Sequence, residues 1–169
     1  MMVLTLTGCG NEKSTAEKEQ REILQMEDSE DNKDIQRMPV SAHQENVKCG
    51  GVAYVLNIER KPDEKLPIIR SAVGNFMDNR ILLSIQKNGK EFLKKSFTRN
   101  DFTPHVEFKE TNQFRLEGLV FDAINTEENK ELTFAANMTY PDSDLYIPFR
   151  IVVSQQGKCS ISLDEGSRE

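Results

Sequence analysis

Few side chains in this sequence are of a type and spacing that could do chemistry, and those few stand at the ends of apolar runs. Asp78-Asn79-Arg80 and Asp144-Leu145-Tyr146 place a carboxylate near a cation or a phenol just outside a hydrophobic segment. Binding groups carried by sheets gather at such places. Asp78, Arg80, Asp142, Asp144 and Tyr146 are therefore the candidate ligand-binding residues, with Asp78 and Arg80 also expected to form an ion pair. Asp142-Ser143-Asp144 offers two oxygen ligands to calcium, but the other members of a calcium loop are missing and the residues suit an ordinary turn. His43 and His105 have no second His or Cys at metal-ligand spacing, so no metal site and no cofactor are expected. No Ser or Cys signature marks a nucleophile, and no paired carboxylates form a cleft motif, which points away from catalysis.

The N-terminus carries the most specific signal. Met1-Met2-Val3-Leu4-Thr5-Leu6-Thr7-Gly8-Cys9 is apolar, and Leu6-Thr7-Gly8-Cys9 resembles the lipobox of bacterial lipoproteins. That resemblance implies cleavage after Gly8, with residues 1–8 a signal-peptide remnant, and acylation of Cys9, whose sulfur and new amino group would carry the acyl chains. Two or three chains suffice for stable anchoring without a transmembrane helix. The stretch before Cys9 has no Lys or Arg and is at the short limit of the apolar run of about 7–15 residues that a signal peptide needs, so a longer leader is expected upstream. An exported chain sits where disulfides persist, and Cys49 and Cys159 are then an even pair near the two ends of the folded part. A Cys49–Cys159 bond closing a loop of about 110 residues is worth up to about 5 kcal/mol in the chain-entropy treatment.

Elements must position these residues. Residues 9–48 are polar and charged with scattered apolar positions and read as the lipidated Cys followed by a flexible tether. The folded domain is expected over 49–164, with 165–169 a disordered tail. Val52, Tyr54, Leu56 and Ile58 share one strand face, and Lys61-Pro62-Asp63-Glu64 is a turn. A short edge strand is allowed between Leu66 and Asn79. Lys87-Asn88-Gly89-Lys90 joins a hairpin, because Asn-Gly fits the positive φ values of a type I′ turn; the register puts Ile85 opposite Phe92, or Leu83 opposite Leu93 if the loop ends in a bulge. Thr103-Pro104 suggests an N-cap and a short helix to about Thr111. Phe114–Ala123 alternates and then becomes apolar on both faces after Gly118, so it is placed as the central strand, with a bulge or corner at the glycine. A turn at Glu127-Glu128-Asn129-Lys130 precedes alternating strands at Leu132–Tyr140, Ile147–Val153 and Cys159–Leu163.

With about seven strands, tight local connections and no βαβ alternation, the fold class is all-β, an antiparallel meander forming a flattened barrel or an open sandwich with one short helix. Pro62-Asp63 through Leu66-Pro67, Asp78-Asn79-Arg80, Phe97-Thr98, Leu116-Glu117-Gly118-Leu119-Val120-Phe121-Asp122, Phe134-Ala135-Ala136 and Asp144-Leu145-Tyr146-Ile147-Pro148 together resemble a family of lipoproteins of gut anaerobes whose domain has no known function. The resemblance spans roughly Val52 to Ser162, implies an envelope setting and transfers no catalytic residue.

Composition narrows the partners. Lys+Arg number 22 against 28 Asp+Glu, for a net charge of −6, and no basic block occurs. No nucleic-acid partner is expected, and anionic lipid is a poor one, since both need a cationic footprint. The expected partners are the membrane, through acyl chains on Cys9, and an envelope protein, glycan or small ligand. The expected place is the cell envelope, on the periplasmic side of the outer membrane, and the expected role a noncatalytic binding module. An envelope hydrolase or enzyme inhibitor is the alternative.

Overall fold

The computed structural model describes residues 34–107, 109 and 111–167. The described fold lies in the compact unit from Gln36 onward. In chain order the described elements are β1 (Ile35–Gln36), β2 (Ser41–Cys49), β3 (Val52–Pro62), β4 (Ile69–Ser71), β5 (Gly74–Phe76), β6 (Asn79–Lys87), β7 (Lys90–Phe97), the helix α1 (Arg99–Phe102), β8 (Arg115–Phe121), the helix α2 (Ala123–Asn129), β9 (Leu132–Thr139), β10 (Tyr146–Val153) and β11 (Cys159–Leu163). They build two four-stranded sheets, ordered β2-β3-β6-β7 and β11-β10-β9-β8, and a small sheet ordered β1-β5-β4. All the pairings described are antiparallel. The fold is an open all-β sandwich, not a closed barrel.

Period-2 alternation makes the two main layers. Tyr54, Leu56 and Ile58 of β3 and Ile81, Leu83 and Ile85 of β6 are buried, with Leu56 directly opposite Ile85. Across the core stand Phe134, Ala136 and Met138 of β9 and Ile147, Phe149, Ile151 and Val153 of β10. Phe102 of α1 plugs the space between layers. Its ring centroid lies 5.9 Å from that of Phe97 at the end of β7 and 4.9 Å from that of Phe149 in β10. The second is edge-to-face, and aromatic contacts of this kind add about 0.5–1.5 kcal/mol beyond burial.

Several expectations are corrected by tertiary structure. The helix that plugs the core starts at Arg99, earlier than Pro104, because Thr98 and Asp101 form a capping box in which the Thr98 N–H donates to Asp101 Oδ2 at 2.8 Å; Thr103–His105 is only a single 3₁₀ turn. The turn expected at Glu127-Glu128-Asn129-Lys130 is the end of α2, capped by Asp122 Oδ1 accepting from the Asn125 N–H. The tether reading fails over 41–48, which are strand β2, and its part at 9–33 lies outside the described residues. Glu165–Ser167 of the tail forms a 3₁₀ turn.

The stretch expected to be central is an edge. β8 ends the second sheet, and Val120 is 60% exposed. The bulge expected by Gly118 is present: pairing with β9 skips Glu117, from Leu116↔Met138 to Gly118↔Asn137. The Asn88-Gly89 turn has φ of 50° and 79°, as a type I′ turn requires. Beyond it the strands take neither expected register: Gln86 pairs with Glu91 and Ile85 with Leu93, so Phe92 is the extra residue of a bulge.

Candidate functional site

Asp78 and Asn79, singled out by sequence, are enclosed rather than open to a ligand. They lie where β6 begins, 1% and 0% exposed, against the outer edge of β8. As an edge strand β8 turns Leu116 N–H and C=O outward, and both are met by side chains. Asp78 Oδ1 accepts from the Leu116 N–H at 3.0 Å, and Asn79 Nδ2 donates to the Leu116 carbonyl at 2.8 Å. Asp78 Oδ1 also accepts from the Asn79 N–H at 2.9 Å, and Arg99 Nε stands 3.4 Å from Asp78 Oδ2. Arg99 in turn donates to the carbonyls of Asn112 at 2.6 Å and Phe114 at 3.2 Å. Burial pushes the Asp78 carboxyl above its ordinary value, outweighing the Leu116 hydrogen bond and the Arg99 charge that pull the other way. This clasp joins one sheet to the other through side chains that copy a strand's backbone pairing.

The ion pair expected between Asp78 and Arg80 is replaced by two others. Arg80 Nε donates to Asp63 Oδ2 at 2.6 Å, while Asp78 faces Arg99. The Lys65 N–H and then Arg80 hold the Asp63 carboxyl below its usual range. Residues two apart in a strand point to the same side, but β6 begins only at Asn79, so Asp78 lies before the strand, buried, while Arg80 is partly exposed.

Tyr146 does open on a site. Where β10 begins and β11 ends, a cleft of about 590 Å³ lies between Tyr146 and Pro148 on one wall, Asp164 and Glu165 on another, and His105 and Glu107 on the third. Tyr146 is 56% exposed and forms an aromatic lip of the cleft. Asp164 Oδ1 accepts from Arg150 Nη2 at 2.9 Å and the Gly166 N–H at 3.2 Å, and its own N–H donates to the Pro148 carbonyl at 3.0 Å, so this wall is fixed. An aromatic face, an imidazole and carboxylates around an apolar floor can stack on and hydrogen-bond a ligand. The turn leading to Tyr146 is held by Ser143, whose Oγ donates to the Tyr140 carbonyl at 2.9 Å and accepts from the Leu145 N–H at 3.1 Å. Asp142, with φ of 56°, and Asp144 are exposed members of that turn. No group of three His, Cys, Asp or Glu that could hold a metal ion occurs among the described residues.

Of the five candidate residues, then, one lines the cleft, two lie in the turn beside it, and Asp78 and Arg80 belong to other networks. His105 was visible in the sequence as a residue near a helix start. Glu107, Asp164 and Glu165 belong to no motif, and only the fold brings them to Tyr146.

Cys9 lies outside the described residues. Cys49 and Cys159 are free thiols, so the cross-link expected between them is not formed. They occupy opposite edges of the sandwich. Cys49 ends β2, on the side where β2 adjoins β8, with Glu127, Lys130 and Glu131 as charged neighbours. Cys159 begins β11, whose connecting turn touches Phe92 of β7, with Lys95 and Asp101 nearby. Burial pushes both thiols up.

No curated protein matches the chain in a sequence comparison. A family model does match, over residues 20–161, covering part of the polar N-terminal stretch and nearly all of the sandwich. The chain belongs to the family described as a domain of unknown function, DUF4738.

Proposed function

We propose that this protein is a lipid-anchored module of the cell envelope that binds an envelope protein, glycan or small ligand at the Tyr146 cleft without transforming it. The observation that carries the binding role is the cleft itself, an open concavity with an exposed aromatic lip and polar side chains free to converge on a ligand. The side chains of His105, Glu107 and Glu165 enter none of the described hydrogen bonds with a Ser, Cys or carboxylate that would activate a nucleophile. Anchoring rests on Leu6-Thr7-Gly8-Cys9, with the periplasmic side of the outer membrane as the proposed place. Among the described residues no helix is long and apolar enough to cross a membrane.

The test uses the full chain immobilised and exposed to peptidoglycan fragments, cell-surface polysaccharide and detergent-solubilised envelope protein from its native cells. Saturable, salt-tolerant binding that Tyr146→Ala weakens about tenfold, with ligand recovered chemically unchanged, is the expected result. Ligand recovered cleaved, or binding indifferent to Tyr146→Ala, contradicts the proposal.

A further inference from the structure

We propose that the outer edge of β2 pairs antiparallel with β2 of a second copy of this chain, about a two-fold axis through Gln44. Four strands end the two main sheets, and three of these edges are blunted. β7 carries Lys90, Lys94 and Lys95 and the bulge at Phe92. β11 has five residues. β8 has its bulge at Glu117, and backbone groups in its first half are already taken: Leu116 by Asp78 and Asn79, and the Glu117 carbonyl by Arg60 Nη1 at 3.0 Å. β2 differs from all three. Its nine residues run in unbroken register with β3, without proline or bulge, and among the described residues nothing pairs with its other side. A long regular edge of this kind is a template for another strand.

The charges select which strand. His43 and Glu45 stand opposite the buried Ile58 and Leu56, so both point to the inner side, toward the groove that β2 shares with Leu119, Val120 and Phe121 of β8. Within one chain His43 Nε2 is 3.6 Å from Glu45 Oε2. Inward charges discourage an apolar strand from adding, but a copy of β2 meets them in alternation. With the axis at Gln44, His43 faces Glu45 of the second copy and Glu45 faces its His43, on one side of the joined sheet. Ser41 then faces Val47 and Ala42 faces Asn46, and no like charges meet. Moving the axis by one residue sets Glu45 against Glu45 or His43 against His43. An imidazole N–H that donates to a carboxylate directly across a ladder stabilises it, whereas two facing carboxylates repel. The β2 edge is separate from the Tyr146 cleft, so the pairing stands or falls independently of ligand binding.

Sedimentation velocity of the full chain over a concentration series is expected to show a reversible monomer–dimer equilibrium. His43→Glu is expected to raise the dissociation constant about tenfold, and adding Glu45→Lys to that variant to restore it. His43 is exposed and Glu45 half-buried without a core contact partner, so circular dichroism and the thermal midpoint should change little. A second readout fixes the register. Gln44→Cys sits on the axis, where facing Cα atoms lie within disulfide range, and oxidation should give a covalent dimer well above the background of the native cysteines. Ala42→Cys, which faces Asn46 of the copy, should not. A chain that stays monomeric throughout, a dimer indifferent to His43→Glu, or equal cross-linking at positions 42 and 44 overturns the proposal.

Discussion

At the scale of single residues, the molecule's most consequential side chain is one that sequence reading offered as a ligand. Asp78 supplies an acceptor to two buried backbone N–H groups. Asp78→Ala strands both and leaves Arg99 without its anion, so a loss of about 3 kcal/mol is expected by urea unfolding, whereas Asp78→Asn keeps an acceptor and costs less. The pH dependence separates the carboxylate from its shape. Because the folded Asp78 carboxyl holds its proton to a higher pH than the unfolded one, the folded state binds more protons just above the ordinary carboxyl value. Its contribution is full below about pH 4 and declines as pH rises through the folded value. Wild type should therefore lose ground to Asp78→Asn as pH is raised from about 4. Wild type gaining ground would mean that the Arg99 pairing outweighs burial. The sequence marked Asp78-Asn79-Arg80 as unusual because polar groups border an apolar strand there. It did not reveal that the first two face inward, since that depends on an edge strand, β8, arriving with unpaired backbone.

Among the elements, the β6–β7 hairpin separates what is local from what is not. Asn88 and Gly89 both have positive φ, and a side chain at position 89 opposes that geometry. Gly89→Val is expected to destabilise by about 1 kcal/mol or more, read as a lower denaturation midpoint with unchanged slope. An unchanged midpoint would show that the turn carries no strain against a side chain. The turn type was legible because two adjacent residues specify it. The register was not, because the bulge serves a distant contact: Phe92 meets the Tyr54 ring at 5.9 Å, lies 5.1 Å from Lys87 Nζ, and packs against Gly157. The plug helix shows the same division. Thr98-Arg99-Asn100-Asp101 and Thr103-Pro104 are both local start signals, and what decided between them was Phe102 finding Phe97 and Phe149.

For the whole molecule, alternation of apolar and polar residues was enough to read an antiparallel all-β fold, since each sheet is built from strands with one dry face. Which strands lie at the margins was beyond it. Leu119-Val120-Phe121 is apolar on both sides yet forms an edge, while Ser41–Lys48 is polar enough to pass for a tether yet makes up all but the last residue of the nine-residue strand β2. The Tyr146 cleft was legible only at Tyr146 and its turn, because its other walls come from segments far apart in sequence. The proposed partners follow from an envelope setting, and that proposal rests on acylation of Cys9. Intact-mass measurement of the protein extracted from the membranes of its native cells tests that dependence most directly. Anchoring predicts a chain that begins at Cys9 and carries the added mass of a diacylglyceryl group and an amide-linked acyl chain, and Cys9→Ser protein that leaves the membrane fraction. An unacylated chain with residues 1–8 still attached, recovered from the soluble fraction, would contradict it.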